Sequence, residues 1–128
     1  MTKLLIVDDE ADVREFAANF FRKRKIEVTS VSSGEETLKI IEKDKPHLIL
    51  LDIKMTGIDG IETLRRIRQN DKNIKVIMVT GRKEDAGQAF EQCRQLGALN
   101  YIHKPLDLGE LERIVLKELS DTNVKSST

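Results

Sequence analysis

The stretch His47-Leu48-Ile49-Leu50-Leu51-Asp52 decides the fold. The run from His47 to Leu51 is short, unbroken by charge, and stops on a carboxylate at Asp52. Such a run reads as a strand buried on both faces, and strands of that kind belong to parallel sheets. The same sign recurs on either side. Lys3 to Val7 is apolar and branched until Asp8 and Asp9 end it, and Glu27 to Val31 reads as a second strand. Beyond Asp52, Lys75 to Val79 ends at Thr80, and Leu99 to Ile102 runs towards Lys104-Pro105.

Between these runs the period changes. From about Glu10 to Arg24, the residues Val13, Phe16, Ala17 and Phe20 are expected on one buried helical face. Ser33-Gly34 opens a second helix in which Leu38 and Ile41 are spaced for burial. Gly57, Asp59 and Gly60 punctuate the loop after Asp52, and Ile61, Leu64 and Ile67 mark a third helix. Arg82 to Leu96 is the fourth, with Gly87 inside it at about 1 kcal/mol relative to Ala. Leu108, Leu111, Val115 and Leu119 mark the last, after which Ser120 to Thr128 is polar and expected to fray. Strands alternating with helices on short connections require a parallel sheet covered on both faces: an α/β fold.

The 128 residues suffice for one such domain, with 39% apolar and 34% charged residues. The 22 Lys and Arg balance the 22 Asp and Glu, so no net field favours DNA or an anionic membrane. No apolar stretch approaches membrane-spanning length, and Asp8-Asp9 arrives too early for a signal peptide. The expected location is the cytoplasm. Neither nucleic acid nor membrane is expected as a direct partner.

In an open parallel sheet, ligands bind beyond the carboxyl ends of the strands. There the sequence delivers Asp8 and Asp9, then Asp52, Thr80 and Lys104. Crowded carboxylates repel unless a cation sits among them, and hard oxygen ligands suit Mg²⁺ or Mn²⁺. A metal, an ammonium and a hydroxyl around a carboxylate nucleophile would stabilise a transferring phosphoryl group. Helix capping accounts for any one of these residues, but not for all five together.

The chain resembles the receiver domain of two-component response regulators. The residues that carry the resemblance are Asp8-Asp9, Leu50-Leu51-Asp52-Ile53-Lys54-Met55, Gly57-Ile58-Asp59-Gly60, Val79-Thr80-Gly81, Gly97-Ala98 and Tyr101-Ile102-His103-Lys104-Pro105. The resemblance implies a flavodoxin-like, doubly wound (βα)5 fold with strand order 2-1-3-4-5, the receiver occupying residues 1–120. It leaves 121–128 as a polar tail or the start of a linker. It implies that Asp52 accepts a phosphoryl group from a histidine kinase or a histidine phosphotransfer protein, with only self-phosphorylation and self-dephosphorylation as activity. Mg²⁺ would bind Asp9, Asp52 and the Lys54 backbone carbonyl directly, and Asp8 through water. Lys104 would pair with phosphoryl oxygens, and the Lys104-Pro105 bond would be cis. Thr80 and Tyr101 would form a switch altering the face of the fourth helix, fifth strand and fifth helix. Lys54 and Arg82 would tune the lifetime of the acyl phosphate. The first helix would dock the phosphodonor, with Arg22-Lys23-Arg24-Lys25 either a solvated helix end or a contributor to docking.

The sequence departs from that family at Thr56, where proline is commonest, and at Gly81, where alanine is usual. A less rigid loop at Thr56 and a loose, mobile start to the fourth helix are expected. His103, His47 and the lone Cys93 have no partners that suggest chemistry. The expected roles are a stand-alone regulator or phosphorelay intermediate, or else the N-terminal receiver of a longer regulator or hybrid kinase. The oligomeric state is a monomer or a phosphorylation-dependent dimer, and the downstream effector is unnamed. Competing functions are a phosphorylation-independent binding module, an Mg²⁺-dependent phosphatase and a flavin protein. A common aspartyl phosphatase places Asp-x-Asp after the first strand, which this chain lacks. A flavin phosphate would meet the acids at the switch point.

Overall fold

A computed structural model describes residues 2–81 and 86–127, the side chains of 86 and 121–127 excepted. Strands and helices alternate as β1 (Lys3–Val7), α1 (Ala11–Arg22), β2 (Glu27–Val31), α2 (Gly34–Lys43) and β3 (Leu48–Asp52). They continue as α3 (Gly60–Asn70), β4 (Lys75–Thr80), α4 (Ala86–Gln95), β5 (Asn100–His103) and α5 (Leu108–Ser127). All strands are parallel, in the order β2-β1-β3-β4-β5.

The apolar run that opened the reading lies at the centre, every residue of β3 being buried. Its side chains alternate, so Leu48 and Leu50 enter one core and Ile49 and Leu51 the other. The first core packs β1, β3 and β4 against Ala17, Ala18 and Phe21 of α1 and Leu111, Val115 and Leu119 of α5. The second packs the opposite faces against Ile41, Leu64, Ile67 and Cys93. Each large aliphatic residue in these cores contributes about 1.5–3 kcal/mol of burial.

Helix boundaries follow local chemistry. Ser33 caps α2 by accepting from Glu36 N–H, and Asp59 caps α3 by accepting from Glu62 N–H. Both helices open on a glycine in a tight place: a Cβ on Gly34 would meet the Thr63 and Ile58 side chains, and one on Gly60 would fall 2.1 Å from the Asp52 carbonyl oxygen.

Several expectations are corrected. The buried face of α1 is Ala17, Ala18 and Phe21, while Phe16 is 51% exposed and Val13 and Phe20 are half-buried. Two alanines and a phenylalanine complete the stripe at helical spacing, turning Phe16 outward. The strand β5 starts at Asn100, leaving Leu99 exposed before it, and Ile114 joins the α5 stripe. The backbone of α5 stays helical to Ser127, where a frayed tail is expected from Ser120. No glycine or proline interrupts that segment. Arg82 and the expected loose start of the fourth helix lie outside the described residues. Among the described residues, no helix is long and apolar enough to cross a membrane.

Candidate functional site

The strand register assembles the site. Val7 pairs with Leu51, so Asp8, one residue on, stands level with Asp52. Thr80 pairs with His103, so Lys104 leaves β5 at the same edge. Backbone bonds extend each ladder one step further: Asp8 N–H donates to Val31, Ile53 N–H to Val79 and Lys104 N–H to Thr80. The Lys104-Pro105 bond is cis, as expected.

At this edge Lys104 Nζ lies 3.1 Å from Asp52 Oδ2, 3.1 Å from Asp8 Oδ2 and 2.7 Å from Glu10 Oε1. Asp8 and Asp52 are buried and Glu10 is exposed. Burial and then the charge of Asp8 push the Asp52 carboxyl up to about 6, against the pull of Lys104 and of a Lys54 backbone bond. Burial works against the Lys104 charge, but Glu10, Asp52 and Asp8 outweigh it and hold the amine well above its ordinary range.

Oxygens of Asp8, Glu10 and Asp52 all lie within 4.8 Å of one another. One ammonium among three carboxylates leaves the group short of positive charge, and its donors are all hard oxygens. A divalent cation such as Mg²⁺ fits that chemistry.

The other expected residues are placed as follows. Asp9 is exposed and stands apart from that cluster, its Oδ2 accepting from Thr56 N–H at 3.1 Å and Thr56 Oγ1 at 3.0 Å. Thr80 is buried at the end of β4, and Lys54 is exposed beside Asp52 in sequence. Tyr101 is half-buried, donates from its hydroxyl to the Phe90 carbonyl at 2.7 Å, and packs on the Phe90 ring with centroids 4.2 Å apart.

Sequence reading missed Glu10. Three consecutive acids gave no sign of it, because β1 ends at Val7 and the chain bends at Asp9, where strand alternation no longer applies. Glu10 was assigned to the helix start; it is the residue before α1 and has extended backbone. The set-aside residues stay outside the site. His103 is exposed and meets the edge of Phe90, while its neighbour Ile102 is buried. His47 Nδ1 accepts from Lys3 N–H at 2.9 Å. Burial pushes the Cys93 thiol up to about 11, which leaves it unreactive.

A groove of about 660 Å³ adjoins Lys104, between α1 and the start of the β5–α5 connection. Val13, Phe16, Pro105 and Leu106 give it an apolar lining, with Glu10 and Asp12 at its side.

The model of the response regulator receiver domain family matches residues 4–116. The chain is 38% identical over 117 residues to sporulation initiation phosphotransferase F of Bacillus subtilis, covering 91% of this chain and 93% of that protein. Among solved structures, a CheY-like response regulator receiver domain protein from Methanospirillum hungatei aligns with a TM-score of 0.91 at 26% identity, covering 98% of each chain. Response regulator TrrA from Thermotoga maritima, solved in complex with Mg²⁺-BeF, aligns with a TM-score of 0.80 at 30% identity, covering 92% of this chain and 99% of that one. Other curated relatives are longer, and the chain spans from 27% to 56% of their length in the cases of a regulatory protein AtoC and a heme response regulator HssR.

Proposed function

This chain belongs to the response regulator receiver domain family, and from that premise we propose that Asp52 accepts a phosphoryl group from the histidine of a kinase or a phosphotransfer protein. The observation that carries the reading is the convergence of Lys104 Nζ on Asp52 and Asp8 at 3.1 Å each, at the carboxyl edge of a parallel sheet. An Asp52 oxygen attacks phosphorus and a P–O bond forms as the donor's P–N bond breaks; the P–N electron pair stays on the ring, which leaves as neutral imidazole because its other nitrogen already carries a proton. Lys104, already within hydrogen-bond reach of Asp52, neutralises charge on the phosphoryl oxygens.

Asp9, Asp52 and the Lys54 carbonyl would hold Mg²⁺ directly and Asp8 through water, with Asp8 and Asp52 already gathered at this edge. When bound it supplies positive charge against the phosphoryl oxygens. Once phosphorylated, Asp52 draws the Thr80 hydroxyl towards it, and Tyr101 leaves the Phe90 carbonyl to turn inward. The surface of α4, β5 and α5 changes with it. Lys54 and Arg82 are assigned to the lifetime of the acyl phosphate. The exposed Phe16, with Val13, Pro105 and Leu106 beside Lys104, suits the docking of the donor's helix surface. The protein's own chemistry is then limited to gaining and losing its phosphoryl group, in the cytoplasm.

Similarity along nearly the whole length of a protein named a phosphotransferase favours a stand-alone regulator or phosphorelay intermediate. The longer relatives favour a second reading as the receiver of a longer chain. Beryllofluoride, a phosphoryl mimic, tests the site and its switch together. With Mg²⁺ it should shift the amide resonances of Asp52, Thr80 and Tyr101 in the wild type and leave Asp52→Asn unchanged. Equal shifts in both proteins would overturn the assignment of Asp52.

A further inference from the structure

Asp9 is the acid after β1 that the fold does not deliver to Lys104. Its neighbours Asp8 and Glu10 both meet Lys104 Nζ, at 3.1 Å and 2.7 Å. Asp9 turns instead to the loop between β3 and α3, where Thr56 gives it two hydrogen bonds, at 3.1 Å from the backbone N–H and 3.0 Å from Oγ1. Both donors converge on the same oxygen, Oδ2, and both bonds are charge-assisted. The loop is tied down again at Ile58, whose N–H donates to Glu35 Oε2 at 3.4 Å. The departure at Thr56 therefore does not leave the loop unheld: the threonine exchanges the fixed backbone of a proline for bonds to an acid.

We propose that Thr56 is a latch on Asp9, its two hydrogen bonds competing with Mg²⁺ for Oδ2 of that carboxylate. The proposal rests on the reading of Asp9 and Asp52 as joint metal ligands. Two hydrogen bonds draw charge from Oδ2 and make it a weaker ligand for a cation than an unbonded carboxylate oxygen. The aspartate side chain is short, so turning it towards Asp52 carries Oδ2 away from both donors. Whatever the two Thr56 bonds contribute is subtracted from the affinity of that oxygen for the cation. Proline at this position would offer neither donor, and most other residues only the backbone one. Thr56 is thus a positioning residue that sets the Mg²⁺ concentration at which the site fills.

The test is a Mg²⁺ titration of the whole chain followed by ¹H–¹⁵N resonances, comparing wild type with Thr56→Val and Thr56→Ser. Valine keeps the shape and the backbone N–H but removes the hydroxyl, whereas serine keeps the hydroxyl. Losing one hydrogen bond to the competing state should tighten Mg²⁺ binding by about two- to five-fold in the valine variant. Serine should retain the wild-type affinity, and the Thr56 amide of the wild type should move as Mg²⁺ binds. A valine variant that binds Mg²⁺ no better than wild type, while both respond clearly at Asp9 and Asp52, overturns the latch alone. Wild-type resonances at Asp9 and Asp52 that ignore Mg²⁺ overturn the metal reading and the latch with it.

Discussion

Asp52 is held in conditions that disfavour the charge its chemistry needs. It is 2% exposed and stands beside Asp8, and its carboxyl titrates at about 6 instead of the ordinary 3.8. A raised folded-state value means that the folded protein binds this proton more tightly than the unfolded chain. The resulting stabilisation is complete below pH 3.8 and is lost as the pH rises through about 6. Above that, the ionised carboxylate is a net cost to the metal-free fold. Asp52→Asn should therefore stabilise the protein at pH 7 in EDTA by about 1–3 kcal/mol, and by much less at pH 4. Thermal unfolding at both pH values checks this, and an asparagine variant less stable than wild type at pH 7 would refute the electrostatic account. At this scale the sequence already showed Asp8, Asp52, Thr80 and Lys104, because each ends or directly follows a strand. It did not show that Asp9 and Glu10 divide between two partners. Three consecutive acids carry no distinguishing chemistry until the direction of the chain is known.

Elements were legible wherever a short apolar run met a turn, so all five strands lie close to their expected places. The buried face of α1 was not, because alanine barely announces burial and a phenylalanine does. Phe16 was taken for core and instead lines the groove beside Lys104. Two glycines separate structural need from tolerance. A Cβ on Gly60 would press on the backbone of Asp52 and Ile53, at 2.1 and 2.7 Å, whereas one on Gly87 meets nothing within 4 Å. Gly60→Ala should destabilise the protein by about 1–3 kcal/mol through overpacking, at the backbone that carries the acceptor. Gly87→Ala should be neutral or stabilising by up to about 1 kcal/mol, since alanine is the better helix former. Urea unfolding of the two variants ranks them, and a Gly87→Ala variant as unstable as Gly60→Ala would contradict the packing.

For the whole molecule, alternation of strands and helices required a parallel sheet with two covered faces, and the two cores on either side of β3 meet that requirement. The order of the strands was not contained in periodicity, because a right-handed crossover leaves open which edge the chain takes next. It came from the resemblance, and the observed order β2-β1-β3-β4-β5 agrees with it. That order makes β1 and β3 neighbours, and so sets Asp8 beside Asp52 and gives the acceptor its environment. Neutral overall charge left no long-range field to point to the site. Among the described residues, the site is a local excess of acid at one sheet edge, with Lys104 set against it. The central claim is that this edge takes a phosphoryl group on Asp52 with the help of a divalent cation. Intact mass after incubation with acetyl phosphate and Mg²⁺ tests it most directly, with Asp52→Asn and an EDTA control alongside. A single phosphoryl adduct is predicted on the wild type, absent from the variant and abolished by EDTA; no adduct on the wild type, or one that persists in Asp52→Asn or in EDTA, would contradict it.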